Sequence, residues 1–200
     1  FWGDFSKKLR ALGKQEKTAE ALEQDEDFVR ERERFRKKLR KKAPKHIDRI
    51  YSVLSQVAAH AKERNVLLCA ENREGLLELP LDDQTAEFAE RMQELEMIRL
   101  WHDAGHAMVK QRLGFLNHAE FMAQNHASIA GFHLHDTTAL GKDHQAVGQG
   151  VIDFQMLSQY FRDDQVFVLE LSPRLKQDEV LLSKARVEEL FQPSIGCKAG

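Results

Sequence analysis

Four short apolar runs, each stopped by one ionisable residue, most constrain how this chain can fold. Glu71 closes the run Val66-Leu-Leu-Cys-Ala, and Asp103 closes Met97-Ile-Arg-Leu-Trp-His. His133 closes Ile129-Ala-Gly-Phe, and Glu170 closes Val166-Phe-Val-Leu. Stretches of helical spacing separate them, and such alternation reads as βα units of a parallel sheet. In parallel α/β folds the chemistry stands at the carboxyl ends of the strands. Three carboxylates and an imidazole converging there make an oxygen-rich site for a divalent cation.

A chain of 200 residues can bury one sizeable core. Its net charge of −2 gives no global case for a nucleic-acid or membrane partner. No apolar run approaches the ~20 residues of a membrane helix. Cys69, expected in a buried strand, and Cys197, in the tail, form no disulfide framework. That usage fits a reducing compartment, so a cytoplasmic protein is expected. Phe1 stands where a Met would open the chain, and the expectation is that the true N-terminus lies upstream.

Residues 1–46 read as a charged helical segment, 47–191 as the body of alternating strands and helices and 192–200 as a loose tail. Within the first, 14–42 is rich in Glu, Lys and Arg, with few apolar anchors (Leu22, Phe28, Phe35 and Leu39 among them). It is expected to form one or two solvated helices, acidic residues leading and basic ones trailing, as a helix dipole favours. The basic stretch 30–45 lacks the interleaved aromatics of a nucleic-acid arm. Pro44 is expected to open a separate amphipathic helix over 44–64. Further helices are expected over 83–96, 104–113 (stopped by Gly114), 118–127 (Asn117 and Glu120 as a capping pair), 154–162 (capped by Asp153) and 177–191. A closed barrel needs eight strands and about 250 residues, so four strands look like half of one.

Seven of the nine histidines fall between His102 and His144, which makes this the densest region of potential ligands. His102 should point away from Asp103, towards a helix, because strand side chains alternate. His118 and His126 are expected on an exposed helix face. His133 and His135 share a face, and the one nearer the strand end is expected to meet loop solvent. In Asp103-Ala-Gly-His106, Gly105 permits a tight turn that returns His106 over the strand end. Asp143 and His144 stand in a Gly-punctuated loop that lacks the strand–turn–helix context of a nucleotide fingerprint.

In order along the chain come Glu71-Asn72, Trp101-His-Asp-Ala-Gly-His-Ala107, Phe132-His-Leu-His-Asp136, Asp143-His144 with Gly148-Gln-Gly150, and Leu169-Glu170. Over about 66–191 this series resembles the last four βα units of the xylose-isomerase-like barrel superfamily, which holds sugar and sugar-phosphate isomerases, ketose epimerases and barrel-type AP endonucleases. The resemblance implies a (βα)8 TIM barrel, with Glu71, Asp103, His133 and Glu170 as metal ligands and His106 touching substrate. It also implies a possible second metal or substrate position at His106, Asp143 and His144, although Asp143 adjoins His144 where the endonuclease branch separates the pair by one residue. The first four strands have no counterpart here, so a preceding half or a second copy is expected to complete the barrel.

The expected activity is isomerisation or epimerisation of a small sugar or sugar phosphate, as part of carbohydrate metabolism. A cation would stabilise an enediolate as Lewis acid, with Glu71 and Glu170 as bases on either side and His106 serving a substrate hydroxyl. Oxygen ligands outnumber nitrogen three to one, which favours Mn²⁺ or Mg²⁺ over Zn²⁺ or Co²⁺. The alternatives are an AP-endonuclease-like phosphodiesterase, a catalytically incomplete fragment, and a hydrolase that uses His102, Asp103 and His106 on one continuous helix.

Overall fold

A computed structural model describes residues 17–191 together with Lys7; the expected tail 192–200, Glu16 and Cys197 lie outside the described residues. Four parallel strands, β1 (Leu68–Glu71), β2 (Ile98–Asp103), β3 (Ile129–Leu134) and β4 (Val166–Leu169), pair in chain order. Helices precede and connect them: α1 (Ala19–Glu23), α2 (Glu26–Glu63), α3 (Thr85–Gln93), α4 (Ala104–Arg112), α5 (His118–Asn125), α6 (Phe154–Ser158) and α7 (Gln177–Leu190). The fold is α/β, a four-stranded portion of a TIM barrel.

Alternation along each strand separates two faces. Ile98, Leu100, Phe132 and Leu134 pack against the helices and form the main core with Phe88, Met92, Phe121 and Leu157. The opposite face carries Val166 and Val168, which are 56% and 39% exposed. Cys69, expected to be buried, is exposed on the same side as Glu71. Sheets of this kind normally bury both faces, and here only the helix-covered one is closed.

The helix starts follow the expected chemistry. The side chains of Asp25, Asp103, Asn117 and Asp153 accept hydrogen bonds from the first turns of α2, α4, α5 and α6. Gly114 sits at φ +69 just past α4. The helix capped by Asp153 is shorter than expected, ending at Ser158.

The N-terminal segment departs most from expectation. One helix of 38 residues, α2, runs straight through Pro44 and across the expected boundary at 46. One face of its first half is packed, while most of the charged residues between remain solvated. Phe28, Phe35, Leu39 and Ala43, with Leu22 of α1, form a second core with Leu76, Leu81 and Leu113. Arg32 is buried with them, ion-paired to Glu23 and donating to the Leu113 carbonyl. Its charge is tolerated because the acid and the carbonyl replace water.

Candidate metal centre

Strand register sets the site. Glu71 lies beside Trp101, two residues before Asp103; Asp103 lies beside His133; His133 lies beside Val168, two before Glu170. All four residues therefore share the face turned from the helices, along one end of the sheet. His133 Nδ1 is 3.0 Å from Glu170 Oε2, 3.3 Å from Glu71 Oε1 and 3.6 Å from Asp103 Oδ2. One ligand atom from each of the four lies within 4.8 Å of the others. Among the lysines and arginines of the described residues, Arg73 alone pairs with one of the four, 3.5 Å from Glu71 Oε2. Glu170 Oε2 is buried and accepts no well-formed hydrogen bond, His133 Nδ1 being its ionisable neighbour at 3.0 Å. Three carboxylates and one imidazole with ligand atoms this close fit a divalent cation.

Asp103 is fully buried. Burial alone would raise its pKa, but hydrogen bonds from His135 and the His106 N–H, with the neighbouring imidazoles, bring it down to about 2. Asn72 clamps the ends of β1 and β2, accepting from the Asp103 N–H at 2.8 Å and donating to its carbonyl at 2.9 Å. His106 is buried on the first turn of α4, its Nδ1 3.1 Å from the Asn72 carbonyl and its Nε2 2.9 Å from Glu74.

His106, Asp143 and His144 lie close together but fall into two overlapping groups that share His106. Asp143 groups with Glu74 and His106, whereas His144 groups with His106 and His135. His144 holds a left-handed backbone (φ 54) that places its ring between Asp143 (3.2 Å) and Glu170 (3.7 Å). His135, for which loop solvent was one expected surrounding, is fully buried. His102 points to the helix side as alternation required, but His118 is buried there rather than exposed, their Nε2 atoms 2.8 Å apart. Residues 98–103 are strand, so a hydrolase helix through His102 and His106 does not exist.

Sequence reasoning assigned no role to Glu74, and took Asn72 only as part of a motif and Asp136 only as a potential ligand. Asp136 carried a readable signal, an acid followed by a loop with Gly148 and Gly150. Its buried carboxylate accepts from the N–H groups of Thr137, Gly148, Gly150 and Ile152 and pins that loop beside the centre.

Residues 11–186 match the family described as xylose isomerase-like TIM barrel. No curated protein matches the chain. Among solved structures, a Thermus thermophilus protein soaked with zinc chloride is 19% identical (TM-score 0.55), over 76% of this chain and 55% of that one. A D-tagatose 3-epimerase-like protein is 20% identical (TM-score 0.50), over 72% and 54%. The 3-keto-D-glucoside 4-epimerase YcjR from E. coli, in its apo form, is 13% identical (TM-score 0.52), over 72% and 53%. The chain thus spans about half the length of the structures it resembles.

Proposed function

The chain belongs to the xylose isomerase-like TIM barrel family, and from that membership we propose that it is a divalent-metal-dependent sugar or sugar-phosphate isomerase or epimerase. The observation that carries this reading is the convergence of Glu71, Asp103, His133 and Glu170, with one ligand atom of each within 4.8 Å of the others. Those four residues would hold the metal, with Mn²⁺ or Mg²⁺ favoured by the oxygen-rich set. When bound, the ion supplies Lewis acidity to adjacent substrate oxygens.

The remaining chemistry belongs to the chain. Glu71 and Glu170 approach His133 from the two ends of the row and are the candidate bases for a proton beside a carbonyl. His106, held by the Asn72 carbonyl and Glu74, is placed to serve a substrate hydroxyl. His144, 3.2 Å from Asp143 and 3.7 Å from Glu170, forms with Asp143 a substrate-contacting edge in this reading. Four further βα units, from a second copy or a preceding segment, complete the barrel in this reading, and the enzyme works in the cytoplasm. No helix among the described residues is long and apolar enough to cross a membrane.

The test is the metal content of the purified chain beside its Glu170→Gln variant. Near-stoichiometric divalent metal in the parent, lost in a folded variant along with isomerase activity, is expected. Full activity in Glu170→Gln refutes the assignment.

A further inference from the structure

We propose that His135 is a positioning residue that aims Asp103 at the metal centre; the assignment rests on the reading given above. His135 has no exposed surface. The peptide N–H of His144 donates to its Nδ1 at 2.8 Å, so that nitrogen carries no proton. The proton therefore sits on Nε2, which lies 3.0 Å from Asp103 Oδ1 and 3.2 Å from Oδ2. Asp103 Oδ1 also accepts from the His106 N–H at 2.7 Å. With Oδ1 so engaged, Oδ2 is turned towards His133 and His106, at 3.6 and 3.5 Å.

His135 is not itself a ligand. Both ring nitrogens are engaged, and its ring stacks on His144 with centroids 4.2 Å apart and planes 17° from parallel. The in-plane lone pairs of stacked rings do not converge on one ion. Two features serve the ring's placement. Gly105 leaves it room, since a Cβ there would lie 1.9 Å from His135 Cε1. Asp136, the next residue, ties down the loop that supplies the His144 N–H. Hydrogen-bonded partners behind a metal ligand fix its orientation, and their loss typically costs about 10–100-fold in metal affinity.

The test is Mn²⁺ titration of the full chain, followed by the paramagnetic signal of the free ion, for the parent, His135→Asn and His135→Gln. Asn is too short to span from β3 to Asp103, whereas Gln offers a donor and an acceptor at greater reach. His135→Asn is expected to weaken Mn²⁺ binding about 10–100-fold and His135→Gln to recover most of it, with thermal unfolding of both metal-free variants alike. Parent-like affinity in His135→Asn overturns the proposal. So does an equal loss in both variants that tracks their metal-free stability, because that marks a role in packing alone. A parent chain that binds no Mn²⁺ removes the metal centre and this assignment with it. A parent that binds, with Glu170→Gln weakened and His135→Asn unchanged, removes only the role of His135.

Discussion

His102 and His118 meet Nε2 to Nε2 behind the sheet, with both Nδ1 atoms buried and unpartnered. Burial pushes the His118 pKa down to about 4 and that of His102 well below its ordinary value. The unfolded chain titrates near 6.5, so on acidification it takes up protons that the native pair resists. Stability is full above about pH 6.5 and falls as pH drops towards 4, by on the order of 3 kcal/mol for His118 alone. Asp103 runs over a different window. Its depressed pKa contributes stability above about pH 4, lost only as pH falls towards 2. Urea unfolding between pH 7 and 4.5 is therefore expected to show a steep loss in the parent and a shallower one in His118→Gln. Identical slopes would sink the account. Strand alternation alone placed His102 on the helix side, but His118 could not be read as buried without knowing that its partner stood at 102.

Among the elements, α2 separates local preference from packing most clearly. Pro44 lies inside the helix on an exposed turn, where it removes the N–H that would bond the Arg40 carbonyl. The helix continues because both sides are anchored: Phe35, Leu39 and Ala43 in one core, Ile47, Ile50 and Leu54 against the other. Pro44→Ala is expected to stabilise the chain by up to about 3 kcal/mol, read as a higher urea midpoint at an unchanged m-value. A lower midpoint would show that the proline fits a bend the packing requires. Phe28, Phe35 and Leu39 follow helical spacing and were visible as anchors. What they anchor to, Leu76, Leu81 and Leu113, lies far along the chain and carries no local mark.

At the scale of the whole molecule, β1 and β4 end the sheet of the described residues, and large apolar side chains stand exposed. Val53 and Val57 on α2, Leu181 and Leu182 on α7, and Val166 and Val168 on β4 are among them. Unpaired strand edges with apolar flanks seek partners. The chain alone is expected to self-associate as its concentration rises, and Val168→Lys combined with Leu181→Lys to suppress this, as read by sedimentation velocity. A compact monomer at every concentration would contradict it. The sequence by itself determined the four strands, their shared parity and the four polar residues at their ends, because alternation and strand-closing chemistry are encoded within a few residues. Tertiary structure alone decided that His135 stands behind Asp103, that His144 stands between Asp143 and Glu170, and that one face of α2 is packed. Those outcomes depend on a loop pinned by Asp136, a close approach at Gly105 and contacts between distant segments, none of which has a local period to read.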